Sequence, residues 1–211
     1  MTEHSRIRVL YADDHRLVRE GIGLIISQQP DMEVVGSAAS GEECVRLFKK
    51  LRPDITLVDL QMGKMSGVNA IRAIRGAVPS AKIVVLTMYA GDEDIYQAVT
   101  AGASAYLLKN TISDDLLGVI RNVHGSQTPL LNSAVKARLA ERAGRPHVTP
   151  REAEILNFIA AGLRDKEIAQ AAGISESTVY VHVRNILAKL DARDRTAAVQ
   201  TAVRRGIIHR T

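Results

Sequence analysis

The sequence predicts an α/β domain built on a doubly wound, five-stranded parallel sheet, followed by a small all-α domain of four helices. Three observations carry this. Five short apolar, β-branched runs alternate with amphipathic segments through the first 124 residues. Gly144-Arg145-Pro146 then breaks the chain, and only helical patterns follow. The 211 residues, 46% apolar and 24% charged, suit two ordinary globular domains and exclude disorder throughout.

The apolar runs lie at 7–11, 32–35, 55–58, 83–86 and 105–108. Continuous apolar strands of this kind belong to a sheet buried on both faces. Helix-period segments follow them at 17–26, 42–51, 68–77, 94–101 and 113–123. A turn-rich stretch at 124–129 leads to a short helix with a basic face at 131–143. Thr149-Pro150 supplies an N-cap and an N1 proline, with Glu152 at the capping-box position. Four helices follow, at about 150–161, 165–172, 176–190 and 194–206. The domains are therefore 1–124, a linker at 125–146, and 147–211.

Composition narrows the function. The longest apolar stretches fall far short of the ~18 residues that a membrane span needs. No apolar leader follows Met1, and the single cysteine, Cys44, excludes an internal disulfide framework and a cysteine-rich zinc site. These features predict a cytoplasmic protein without a membrane partner. The absence of tryptophan argues against a base-stacking single-strand binder. The net charge of +5 is uneven: residues 1–132 carry −1, 133–145 carry +3 and 146–211 carry +3. A polyanionic partner would meet the basic back half.

Polar residues stand where apolar strands end. The first run ends in Asp13-Asp14, the third in Asp59, the fourth in Thr87 and the fifth in Lys109. In a doubly wound sheet the carboxyl ends of the strands share one edge, and ligands bind there. If the first and third strands are neighbours, three carboxylates meet in one pocket and repel each other. A divalent, oxygen-preferring cation, Mg²⁺, resolves that repulsion. Taken singly, each acid also fits a helix cap, Asp14 above all.

Ala-Asp-Asp at 12–14, Leu-Val-Asp-Leu-Gln-Met at 57–62, Val-Leu-Thr at 85–87 and Gly-Ala-Ser-Ala-Tyr-Leu-Leu-Lys at 102–109 resemble a two-component receiver domain, with its flavodoxin-like fold. The resemblance implies that Asp59 accepts a phosphoryl group from the histidine of a sensor kinase. It implies Mg²⁺ bound by Asp13, Asp14, Asp59 and the backbone carbonyl of Gln61. It further implies that Lys109 neutralises phosphoryl charge, that Thr87 bonds a phosphoryl oxygen, and that Tyr106 follows Thr87 inward. Gly63 stands where the family commonly has proline, which predicts a more mobile loop. Gln61 and Tyr89, both bulky and neither a carboxylate, are expected to shield the acyl phosphate from water and slow its hydrolysis.

The back half carries a second pattern. Ala169 is small enough for a helix crossing, Gly173 fits a tight turn and Ser175 caps the next helix, as in a helix-turn-helix. On that next helix Val179, Val183, Ile186 and Leu190 form the core stripe. Ser177, Tyr180, Val181, Arg184 and Ala188 lie opposite it. Arg184 suits guanine and Val181 a thymine methyl. Thr149–Leu156, Lys166–Ala169, Ser175–Val179 and Lys189-Leu190 resemble a LuxR-type DNA-binding domain, and the whole resembles the NarL/FixJ response regulators. The resemblance implies DNA contacts from Ser177, Thr178, Tyr180, Val181, Arg184 and Lys189, with tyrosine at 180 replacing a usual lysine. It implies a homodimer on double-stranded DNA through Val199, Ala202 and Val203 of the last helix.

The expected function is transcription regulation switched by phosphorylation, with no small-molecule substrate and no enzymatic activity beyond self-phosphorylation and dephosphorylation. One alternative is a DNA-binding regulator that dimerises without phosphorylation, against which the full Asp13, Asp14, Asp59, Thr87 and Lys109 set argues. The other is a haloacid-dehalogenase-like phosphatase using Asp59. Such enzymes need a second aspartate two residues on, where Gln61 stands.

Overall fold

The computed structural model describes residues 6–126 and 128–209, with side chains left out for 111–115. Five strands form one sheet: β1 (Ile7–Ala12), β2 (Met32–Ala38), β3 (Ile55–Val58), β4 (Ile83–Thr87) and β5 (Ala105–Leu108). Their order is β2-β1-β3-β4-β5, and every neighbouring pair is parallel. Five helices connect or follow them: α1 (Arg16–Ser27), α2 (Gly41–Leu51), α3 (Gly67–Ala77), α4 (Asp92–Ala101) and α5 (Ile112–Gly125). A short 3₁₀ turn, Lys109–Thr111, precedes α5.

The strands have no polar face. Val9, Tyr11, Ile55, Leu57, Val84, Leu86, Ala105 and Leu107 pack with Ile22 and Ile26 of α1 and with Leu116, Ile120 and Val123 of α5. Side chains alternate along a strand, so Leu10, Ala12, Thr56, Val58 and Val85 face the other way, and they too are buried. This explains the unbroken apolar runs in the sequence. The second strand is three residues longer than its apolar run predicts. Gly36, Ser37 and Ala38 pair with Leu10, Tyr11 and Ala12 at the sheet edge, where burial does not require large apolar residues.

Helix starts follow the capping signals. Ser40 accepts from the Glu43 amide and Ser66 from the Asn69 amide. Asp14 does not cap α1. His15 is the cap residue there, and its amide donates to Asp13 Oδ1 at 2.8 Å.

The chain divides into two compact units, one running through Tyr89 and resuming over Ile95–Lys136, the other formed by Ala90–Asp94 with Ala137–Thr211. The division differs from the expected linker. Helix α6 (Ser133–Ala143) is split between the units, and the first turn of α4 is grouped with the second. The second unit holds α7 (Pro150–Ala160), α8 (Asp165–Ala172), α9 (Glu176–Leu190) and α10 (Arg195–Arg204). Its core joins Ile155 and Leu156 to Ile168, Val179, Val183, Ile186, Leu190, Ala198 and Ile208.

Candidate phosphoacceptor site and nucleic-acid interface

Strands β1 and β3 are neighbours, and their carboxyl ends bring the expected acids together. The Asp59 amide donates to the Ala12 carbonyl at 2.9 Å, and the Asp13 amide to Ala38 at 3.1 Å. These bonds fix both backbones at the sheet edge. Ligand oxygens of Asp13, Asp14 and Asp59, with a ring nitrogen of His15, lie within 4.8 Å of one another. Asp13 and Asp59 are buried, whereas Asp14 and His15 are exposed.

Lys109 completes the cluster from the end of β5. Its Nζ lies 2.5 Å from Asp13 Oδ2 and 2.6 Å from Asp59 Oδ2. Burial pushes the Asp59 carboxyl above its ordinary range and the Asp13 charge adds to this, while Lys109 opposes both. Burial works against the Lys109 ammonium, but the two carboxylates outweigh it and raise its pKa. Asp59 Oδ1 is buried with no hydrogen-bond partner. An orphaned carboxylate oxygen among three clustered acids fits a hard divalent cation, which takes carboxylate oxygens as ligands.

The loop after β3 is shaped around Asp59. A side chain at Gly67 would bring its Cβ within 1.9 Å of the Asp59 carbonyl oxygen, so only glycine fits. The Gly67 amide donates to the Leu60 carbonyl at 2.8 Å. Gly63 has φ of +54° with open space around it. Proline holds φ near −65°, so this loop conformation itself excludes the usual proline.

Thr87 is buried at the end of β4, and Tyr106 is buried on the neighbouring β5. The Tyr106 hydroxyl donates to the Tyr89 carbonyl at 2.7 Å. Tyr106 is thus already inside, and it engages the backbone of the β4–α4 segment. Sequence reading placed neither that bond nor His15. The His15 Nδ1 lies 2.7 Å from Asp14 Oδ1, and its only sequence signal is its place directly after Asp13-Asp14.

In the second unit, Thr149 and Glu152 form the expected capping box. Gly173 adopts φ of +66° between α8 and α9, and Ser175 caps α9 through the Thr178 amide. Val179, Val183, Ile186 and Leu190 are buried, as their spacing requires. Tyr180 is 63% exposed and Val181 42%. Ser177 and Arg184 share that exposure. The Ser177 and Thr178 hydroxyls each lie 2.8 Å from Ser175 Oγ. They therefore build the cap as well as the surface.

Two groups of expected site residues also make contacts inside the domain. The Lys189 Nζ donates to the buried Glu152 carboxylate at 2.7 Å, holding it with Thr149. Burial acts to raise the Glu152 carboxyl, but Lys189 and Thr149 prevail and hold it below its ordinary range. Val199 and Ala202 belong to the core rather than to a free face of α10, and Val203 packs partly against it. Their helical spacing marks the stripe that closes the domain.

Comparison with known proteins gives the family. Residues 9–121 match the response regulator receiver domain, and 147–202 match the bacterial regulatory proteins of the luxR family. The chain belongs to the response regulators. This response regulator is 40% identical to the uncharacterized transcriptional regulatory protein YxjL of Bacillus subtilis, over 97% of this chain and 98% of that one. It is also 40% identical to the response regulator protein VraR of Staphylococcus aureus, over 96% and 99% of the two chains. Among solved structures it resembles response regulator ChrA of a heme-sensing two-component system, with 32% identity, a TM-score of 0.57 and coverage of 97% and 100%. An RcsB–DNA complex shares the fold at 24% identity, with a TM-score of 0.64 and coverage of 95% and 99%. This response regulator thus pairs a receiver with a LuxR-type helix-turn-helix, the architecture of a two-component transcription regulator. Among its described residues no helix is long and apolar enough to cross a membrane.

Proposed function

We propose that this response regulator binds operator DNA under control of phosphorylation at Asp59. The observation that carries the reading is the orphaned, buried Asp59 Oδ1 beside the Lys109 ammonium. A buried carboxylate with an unpaired oxygen and an adjoining ammonium is suited to take up a phosphoryl group, whose added charge Lys109 offsets. Asp59 attacks the phosphorus of a phosphohistidine on a sensor kinase. The P–N bond breaks as the O–P bond forms, and the imidazole leaves with a proton. Asp13, Asp14, Asp59 and the Gln61 carbonyl would hold Mg²⁺, which would supply positive charge against the transferring group. Lys109 releases its carboxylate contacts to a phosphoryl oxygen, and the Thr87 hydroxyl takes another. Tyr106, bonded to the Tyr89 carbonyl, carries any Thr87 displacement into the β4–α4 segment. The chain acts catalytically only on its own phosphorylation and dephosphorylation.

The outward face of α9 enters the major groove, with Tyr180, Val181 and Arg184 at base edges. The working form is a homodimer on double-stranded DNA in the cytoplasm. Acetyl phosphate with Mg²⁺ tests the switch: the wild type takes up one phosphoryl group and gains DNA affinity, and Asp59→Asn does neither. Labelling of the Asn protein at the wild-type level would overturn the assignment.

A further inference from the structure

Of the four side chains gathered within 4.8 Å of one another at the sheet edge, three offer carboxylate oxygens and His15 offers a ring nitrogen. His15 Nδ1 lies 2.7 Å from Asp14 Oδ1 and 3.4 Å from Asp13 Oδ1. Ligand atoms at ~2.1 Å from one octahedral cation stand about 3 Å apart when adjacent and about 4 Å apart when opposite. The imidazole is therefore spaced from both acids as one ligand is from its neighbours. Asp59 supplies an independent sign of a cation: the residue is 4% exposed, and its Oδ1 is buried without a hydrogen-bond partner.

Helix geometry does not account for the position of the ring. His15 is the N-cap residue of α1, but its side chain makes no capping bond. The bond that ties this residue to Asp13 comes from the backbone amide, which donates to Asp13 Oδ1 at 2.8 Å. The side chain is 72% exposed, so it is not part of the core. What the imidazole meets is the pair of acids at 13 and 14.

Donor chemistry gives this placement a consequence. Mg²⁺ is hard, takes oxygen ligands and keeps much of its water. Imidazole suits borderline cations such as Co²⁺, Ni²⁺ and Zn²⁺. We propose that His15 is a selectivity-setting nitrogen ligand, which lets the acid pocket hold borderline divalent cations through a contact that Mg²⁺ does not use. The proposal rests on the reading that Asp13, Asp14 and Asp59 hold a cation.

The test uses the full unphosphorylated chain, with Co²⁺ and Mg²⁺ as probes followed by titration calorimetry. His15→Ala keeps the backbone bond to Asp13 and removes the ring. It should weaken Co²⁺ binding about tenfold and leave Mg²⁺ binding within about twofold. Equal Co²⁺ affinity in a variant that melts like wild type would overturn the proposal, as would an equal loss for both ions. Proton spectra of the wild type report ligation directly: Co²⁺ should produce a hyperfine-shifted imidazole resonance that excess Mg²⁺ displaces and that Asp59→Asn and His15→Ala both lack. Absence of that resonance, or its survival in His15→Ala, would overturn the assignment of His15. Wild type that binds neither ion at the acids would instead refute the cation-pocket reading itself.

Discussion

Lys189→Met separates a structural role from a DNA role. The substitution keeps the apolar stem and removes the ammonium that donates to Glu152 Oε2 at 2.7 Å. Glu152 is 3% exposed, so its carboxylate has little access to water. Removing one partner of a fully buried pair costs ~3–5 kcal/mol, and an exposed pair is worth ~0–1 kcal/mol. This pair lies between the two, because the Lys189 side chain is 28% exposed. The Thr149 amide and hydroxyl remain on the carboxylate at 2.8 and 2.9 Å. The expected cost is therefore about 2 kcal/mol. Its pH dependence follows from Glu152, whose carboxyl is held below its ordinary value by Lys189 and Thr149 despite burial. A depressed carboxyl stabilises the fold above its unfolded pKa, and that contribution fades as pH falls through the folded value. The gap between wild type and variant should be full at pH 7 and close well below pH 4.5, the ordinary glutamate value. Hydrogen exchange of α7 and α9 peptides in the full chain reads this directly. Unchanged protection, with a DNA salt slope flatter by about one, would show that Lys189 contacts phosphate and that the Glu152 pairing is idle.

Gly67→Ala places a Cβ within 1.9 Å of the Asp59 carbonyl oxygen, so it should cost roughly 3 kcal/mol and slow labelling at Asp59; an unchanged melting temperature would refute the close approach. Mg²⁺ at ~10 mM should stabilise the chain by ~1.4 kcal/mol if its dissociation constant is ~1 mM. Asp59 is raised mainly by burial, so its charge is a cost above that raised value, and the Mg²⁺ effect should fade in thermal melts as acid protonates it. Arg184→Ala should lose ~1–3 kcal/mol at the specific site and relax one base preference, read by footprinting on a selected operator. Phosphorylated protein should decay slowly after donor removal, and faster with Gln61→Ala and Tyr89→Ala together; decay of the wild type within seconds would refute the shielding.

The sheet was legible because both of its faces are covered. Val9 and Leu10 point in opposite directions and are both buried, so the strand shows as one unbroken apolar run. The site was legible because strand ends are the places where a polar residue interrupts such a run. Asp13 and Asp59 needed only the β1–β3 neighbourhood to meet, and that is the observed pairing. Gly63 was visible as a departure, but its reason was not: a φ of +54° belongs to the loop path, and no residue pattern reports it.

The contacts that the sequence did not show share a cause. Helical spacing says which side chains lie on one face and does not say what that face meets. Lys189 sits beside the core stripe, one residue before buried Leu190, and a carboxylate thirty-seven positions earlier reaches it. Val199 and Ala202 share a face, and the spacing fits a dimer seam as well as a core seam; Ile155, Ile168 and Val183 occupy that core. The acids at 92–94 read as an ordinary helix start, because acidic residues suit the first turn of any helix. Arg142, Arg145, Arg205 and His209 distinguish a buried, paired triplet from a solvated one, and those partners lie between 49 and 115 positions away in the chain. Local pattern therefore located each chemical group, and long-range charge pairing decided what Lys189 and the acids at 92–94 meet.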